Sequence, residues 1–277
     1  MSSLGRMLGI LDLYTEAEPA RSIDNLVART GYTRPTLYRY VRELGKAGLL
    51  VKITRNLYVL GPRFIEIDRQ IRASDPLLKV GQPLVSDLFR EDGATVILCG
   101  LLRDSVMCIH RQSAPDVPDQ LGHDRGRAMP LFLTASAKAI LAFLPSPRLR
   151  RLFQGRRVEI RSARLGRNWE GFKEKLRAIR RSGYAESHGE LVPGLAGIAV
   201  PIFNAERDVL GSVAFVIPER KLTEERKEFL VAVLKKGAQR MNDALARLGT
   251  AQNGGARRRI VSVEHARRRA KRPGKSK

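Results

Sequence analysis

The chain of 277 residues carries a formal net charge of +23, with 43% hydrophobic and 29% charged side chains, a balance expected of a soluble protein long enough for more than one core. No apolar run approaches the roughly 18 residues of a membrane span, and the start MSSLGRMLGILDLYTEAEP lacks the features of a secretory signal, so the cytoplasm is the expected compartment. Only Cys99 and Cys108 are present, which excludes a disulfide framework or a Cys-rich zinc site; no cofactor and no metal are expected.

The charge points to a polyanion partner, but its distribution matters more than its sum. Residues 1–60 hold 9 Lys/Arg against 5 Asp/Glu, residues 148–181 hold 13 against 3, and residues 251–277 hold 10 against 1. Part of the excess is therefore a tail.

In chain order, Leu4, Met7, Leu8, Leu11 and Tyr14 recur at helical spacing and predict one apolar face before Pro19. Ser22 is placed to cap a short helix with Ile23, Leu26 and Val27 inward, and Gly31 to end it. Thr33 is placed to cap the next helix, with Pro35 in its first turn, Leu37, Val41 and Leu44 as its buried stripe, and Gly48 as its end. Two short helices around a Gly-containing turn predict a helix-turn-helix. The outer face of the second presents Thr36, Arg39, Arg42 and Glu43, with Thr33 and Arg34 near its start and Tyr40 at the boundary. Guanidinium, hydroxyl and phenol groups suit a major groove, where Arg pairs with guanine and Thr meets thymine methyls. The alternative is a solvated face on a small helical bundle. Residues 49–54 and 57–60 are β-like runs separated by Arg55-Asn56. A hairpin directly after the second helix favours a winged helix-turn-helix, with Arg55 at the wing tip to meet phosphate or the minor groove.

Residues 62–76 read as a linker helix with Phe64, Ile65, Ile67 and Ile71 apolar, its apolar side also available to a partner subunit. A helix over 77–90 and a hairpin over 94–111 follow, with both cysteines as core strand residues. The polar loop 113–129 contains Asp116, Asp119, His123 and Asp124, whose irregular spacing favours a solvated loop over a metal site. An Ala-rich helix from Thr134, a basic helical stretch around Trp169, strands over 198–203 and 209–217, and a helix from Thr223 to about Leu248 complete an α+β domain with an antiparallel sheet. The basic stretch reads either as a solvated face or as a second polyanion surface. The tail, 251–277, is expected to be disordered, serving as extra phosphate contacts or as a solubilising extension.

Five ordered motifs then carry a resemblance. They are Thr36-Leu37-Tyr38-Arg39, Tyr58-Val59-Leu60-Gly61, Met129-Pro130-Leu131 with Lys138-Ala139-Ile140-Leu141-Ala142, Gly183-Tyr184-Ala185 with Gly189-Glu190, and Ile198-Ala199-Val200-Pro201-Ile202. Over roughly residues 4–248 the chain resembles the IclR family of bacterial regulators. The resemblance implies a winged-helix DNA-binding domain (1–61), the linker helix, and a GAF-like effector-binding domain (77–250). It also implies homodimers or dimers of dimers reading a pseudo-palindromic operator in double-stranded DNA, under control of a small-molecule effector.

The family pocket implies a lining of Met129, Leu131, Thr134, Ser187, Gly197, Ile198, Ala214 and Val216. Positions that hold small carboxylates in glyoxylate- and pyruvate-sensing members are Ser187, Gly197, Ala214 and Val216 here, three of them apolar or without a side chain. This favours a larger, less polar ligand such as an aromatic acid, unless Ala214 and Val216 are simply core. Ala137 also stands where the family usually has Gly before its Lys. The competing function is an enzyme using Ser187, His188 and Glu190, with the N-terminal helices serving assembly only; neighbouring residues rarely form such a triad. A regulator acting through protein contacts alone is a further alternative.

Overall fold

In the computed structural model, residues 2–102, 104–115, 117 and 124–270 are described, with side chains through 248. They form two compact units divided between Asp75 and Pro76, which groups the linker helix with the first.

The first unit begins with α1 (Ser3–Leu8), capped by Ser2, whose side chain accepts from the Gly5 amide. The helix stops at Gly9, earlier than the apolar spacing implies. A 3₁₀ turn over Leu11–Leu13 changes the phase, so Leu4 and Leu8 are exposed while Ile10 and Tyr14 enter the core. Helix α2 (Ile23–Thr30) is capped by Ser22, whose Oγ accepts from the Asn25 amide at 3.1 Å, and ends at Gly31 with φ 69°. A left-handed residue there favours glycine, which has no Cβ to clash.

Helix α3 (Arg34–Lys46) buries Leu37, Tyr40, Val41 and Leu44 against Ile10, Ile23 and Leu26. Full burial of Leu26, Leu37 or Leu44 contributes about 2 kcal/mol each. Strands β2 (Leu50–Lys52) and β3 (Leu57–Leu60) form the expected hairpin. The sequence did not announce β1 (Ala20–Ser22), a three-residue strand that pairs with the other side of β3. Helix α4 (Arg63–Ser74) leaves Ile65 and Ile71 exposed.

The second unit is a six-stranded antiparallel sheet between two helical layers. In chain order it comprises α5 (Pro76–Asp92), β4 (Thr95–Leu102), β5 (Ser105–Gln112), β6 (Ala128–Met129), α6 (Ala135–Leu141), α7 (Ser146–Gly155), α8 (Arg157–Ser162), α9 (Trp169–Ser182), β7 (Ala185–His188), β8 (Leu195–Phe203), β9 (Val209–Pro218) and α10 (Glu224–Ala270). The strand order is β6-β5-β4-β9-β8-β7. The two edge strands, β6 and β7, are too short to show periodicity, and β7 carries Ser187 and His188.

Alternation along the strands divides the core. On one face Val96, Leu98, Ile198, Val200, Val213, Phe215 and Ile217 meet Leu84, Val85 and Leu88 of α5 and Leu230, Leu234 and Met241 of α10. On the other, Ile97, Cys99, Cys108 and Val216 pack with α6 to α9 through Ile140, Leu141, Leu149, Ile160 and Phe172. Helix α6 sits close to the sheet because Ala135 and Ala139 meet Ala185, Ala199 and Ala214. Helix α10 buries Leu230, Val233 and Leu234 as expected, but Phe229 is half exposed. Its backbone continues to Ala270, whereas disorder was expected from 251; Ala and Arg are strong helix formers. Residues 271–277 of that tail lie outside the described residues.

Candidate functional site

The outer face of α3 carries the expected polar set. Thr33 occupies the N-cap, but its hydroxyl bonds the Thr36 hydroxyl at 3.0 Å instead of a backbone amide. Arg34 pairs with Asp24 of α2. Arg42 is 3.4 Å from Glu43, whose carboxylate is shared with Lys46 at 3.0 Å, and Arg55 lies exposed at the hairpin tip. The Arg39 guanidinium is exposed and stands 5.5 Å from the Tyr40 ring centroid.

Tyr40 itself is a correction. It is buried, its hydroxyl 3.0 Å from Ser3 Oγ and its ring edge-on to Tyr32. Helical spacing places residue 40 on the stripe of Leu37 and Leu44, so a large aromatic there packs inward. Tyr38, about 100° around the helix from Leu37 and so on the flank of the buried stripe, is instead half exposed. It joins Arg39, Arg42, Lys52 and Tyr58 around an open groove of about 520 Å³ between α3 and the hairpin. In the sequence Tyr38 and Tyr58 stand out only within the Thr36–Arg39 and Tyr58–Gly61 motifs.

Arg21 of β1, which local pattern does not mark as buried, ties the segment around Leu13 and Glu18 to α2. It is 1% exposed, and its guanidinium donates to the Leu13 carbonyl at 2.7 and 3.0 Å, to Asn25 Oδ1 at 2.9 Å and to Glu18 Oε2 at 2.5 Å. A buried charge is tolerable only when paired in this way.

In the second unit a small cavity lies between α6, the sheet and the segment after β7. Thr134, Ser187, Gly197, Ala214 and Val216 line it as expected, with Ser136, Glu190, Leu191, Val192, Leu195 and Ala196. Three expected members do not. Ile198 lies on the opposite sheet face against the α5 and α10 layer, because its neighbour Gly197 takes the cavity side. Met129 is buried in the hydrophobic cluster beneath α6 to α9, and Leu131 packs against that cluster. Gly197 has a steric reason. A Cβ there would stand 2.7 Å from Ser187 Oγ and 3.3 Å from Ala135 Cβ. The open space is about 30 Å³, comparable to one water molecule.

Lys138, on α6, is buried, and its ammonium donates to Glu190 Oε1 at 2.5 Å and to the Glu186 carbonyl at 3.2 Å. Burial pushes the Glu190 carboxyl up, but the hydrogen bond and charge of Lys138 and the His188 amide outweigh it and hold the carboxyl below its ordinary value. Burial pushes both thiols up, Cys108 to about 11, which leaves them as unreactive core groups.

The residues of the enzymatic alternative do not converge. Successive side chains of β7 alternate, so Ser187 faces the cavity while His188 pairs with Glu186 at 3.0 Å and Glu219 at 3.4 Å. Among the described residues no three His, Cys, Asp or Glu side chains gather as a metal site. Asp116, Asp119 and His123 lie outside the described residues. No helix among the described residues is long and apolar enough to cross a membrane.

Two family models match, the IclR helix-turn-helix domain over residues 3–53 and the C-terminal region of bacterial transcriptional regulator IclR over residues 71–243. The chain belongs to the IclR family. Relatives of this IclR-family chain include the HTH-type transcriptional regulator KipR of Bacillus subtilis, 28% identical over 84% of this chain and 92% of its own. The HTH-type regulator KdgR of Escherichia coli is 26% identical over 87% and 92%. Among solved structures, an IclR homolog from Microbacterium hydrocarbonoxydans complexed with 4-hydroxybenzoate superposes with a TM-score of 0.70. It is 21% identical, over 88% of this chain and 99% of that one, and so shares the fold. The protein is a DNA-binding transcriptional regulator, and its relatives bear the names of regulators, not of enzymes.

Proposed function

We propose that this regulator binds a pseudo-palindromic operator as a homodimer or dimer of dimers in the cytoplasm, and that an aromatic acid in the α6 cavity controls that binding. In this reading Thr33, Arg34, Thr36, Arg39, Arg42 and Arg55 meet DNA. Tyr38, Lys52 and Tyr58 extend the groove. Pairing through the first unit would cover Leu4 and Leu8 of α1 and Ile65 and Ile71 of α4, which are exposed apolar side chains.

The second unit acts as a GAF-like effector domain. The observation that carries the effector class is the lining itself. Leu191, Val192, Leu195, Ala214 and Val216 supply apolar walls, and Thr134, Ser136 and Ser187 supply a few hydroxyls. The ligand-bound relative with 4-hydroxybenzoate supports the same class. An aromatic acid is far larger than 30 Å³, so binding requires the segment between Gly189 and Gly194 to swing out. Both glycines have left-handed φ, 69° and 79°, and can absorb such a change.

Calorimetry with 4-hydroxybenzoate, benzoate, glyoxylate and pyruvate tests the class. Binding of an aromatic acid is expected. Binding of glyoxylate or pyruvate without the aromatic acids would overturn it.

A further inference from the structure

The α7 to α9 side of the second unit holds more positive charge than its own acids can balance. Within residues 148–181 each of the three acids is occupied: Glu159 by Arg156 at 2.8 Å, Glu170 by Lys173 at 3.0 Å, and Glu174 by Arg181 at 2.9 Å and Arg177 at 3.6 Å. Arg148 reaches Asp104 at 3.0 Å, Arg180 donates to the Ala142 carbonyl, and Arg150 and Arg157 stand over the Trp169 and Phe153 rings. Arg151, Arg161, Arg164, Arg167 and Lys175 remain exposed, and none has a carboxylate partner among the described residues.

Three of these converge. Arg161, Arg164 and Arg167 line one open concavity of about 670 Å³ with Gly166, and Arg164 also borders an adjoining hollow that holds Lys175 together with the Lys138, Glu186 and Glu190 group. A merely solvated helix face would spread its charges to reduce repulsion; here a specific turn gathers them. Arg164 has φ 54°, and the other non-glycine residue with positive φ among the described residues is Arg207. Gly166 has φ 143°, and a Cβ there would lie 2.5 Å from the Phe172 amide nitrogen. Ala163 and Leu165 are buried on either side of Arg164 and pin the turn. Backbone strain of this kind persists where the surroundings demand it.

We propose that this basic shoulder is a second duplex-contact surface, holding DNA phosphates outside the groove read by α3. The guanidinium fork matches phosphate oxygens. The concavity is open and carries no buried donor, and Lys175 adds a cation in the adjoining hollow. That suits the repeated phosphates of a polymer better than one small anion. Because such contacts ignore sequence, they would add affinity and salt dependence without adding selectivity.

The test measures binding of the full chain to a random-sequence duplex by fluorescence anisotropy across a salt series. Each lost phosphate contact lowers the slope of log K against log salt by about 0.9. The variant Arg161→Gln/Arg164→Asn/Arg167→Gln is expected to lower it by about 2 to 3 and to weaken low-salt binding at least tenfold. Asn tolerates left-handed φ; the double variant Arg161→Gln/Arg167→Gln leaves the turn itself untouched and should lower the slope by about 2. An unchanged slope in the double variant overturns the proposal. So does a difference seen on polyglutamate but not on DNA, which would assign the surface to an acidic protein. Failure of the α3 reading is separately visible, since Arg39→Ala would then leave operator selectivity intact while the shoulder variants still change the slope.

Discussion

The ammonium of Lys138 on α6 and the carboxylate of Glu190, just after β7, meet at 2.5 Å, joining a helix over the sheet to the segment that closes the cavity. The cation is buried and the carboxylate side chain is 30% exposed, so either partner left alone would be costly. Glu190→Gln is expected to destabilise the second unit by about 2 kcal/mol, below the ~3–5 kcal/mol of fully buried pairs because water reaches the carboxylate. Because the folded carboxyl is held below its ordinary value, its contribution is present above the unfolded pKa and is lost as pH falls through the folded one. Urea melts of both proteins should therefore converge as pH is lowered through the carboxylate range. A constant gap down to full protonation would contradict this.

Arg39 is exposed, borders the groove and has no ion pair among the described residues, whereas Arg34 and Arg42 have carboxylates beside them. Arg39→Ala should weaken operator binding by about 1–3 kcal/mol, roughly 5- to 150-fold, in a gel-shift titration. The expected signature is relaxed selectivity for operator over random duplex, with stability unchanged.

Gly197 and Ile198 are neighbours with opposite roles. Gly197→Ala pushes a methyl to within 2.7 Å of Ser187 Oγ, and it should cost about 1–2 kcal/mol and abolish the effector response while operator binding survives. Ile198→Val, on the far face of the sheet, should cost about 1 kcal/mol and leave the response intact. Gel shifts with and without 4-hydroxybenzoate, paired with urea melts, distinguish the two.

Tyr14 is buried in the first unit, and its hydroxyl has no hydrogen-bond partner among the described residues. Burial, moderated by Arg21, pushes its pKa up to about 12. A raised folded pKa means that folded stability is insensitive to this group below the unfolded value near 10 and falls as pH rises toward 12, where only the unfolded chain ionises freely. Tyr14→Phe should be neutral or stabilising by up to about 1 kcal/mol at pH 7, and it should remove that alkaline slope. Thermal melts across that window would read it.

Elements whose apolar period exceeds one turn were legible without coordinates. Ser22, Gly31, Leu37, Val41, Leu44 and Gly48 mark the helix-turn-helix because caps and stripes are local devices, and the wing follows from two β-like runs around Arg55-Asn56. The chain by itself also determined five of the eight expected cavity residues, through matching family positions. Tertiary packing decided the rest. The inward turn of Tyr40, the burial of Arg21 and the three-residue strand β1 depend on partners distant in sequence, which no local pattern encodes. Ile198 was misplaced because adjacent strand residues face opposite ways, and which face meets α6 is settled only when the helix docks on Ala199 and Ala214. The basic stretch after Pro147 reads in sequence either as a solvated face or as a second polyanion surface, because local pattern does not say which of its charges converge. Only the folded turn, with Arg164 left-handed between two buried neighbours, gathers Arg161, Arg164 and Arg167 around one hollow.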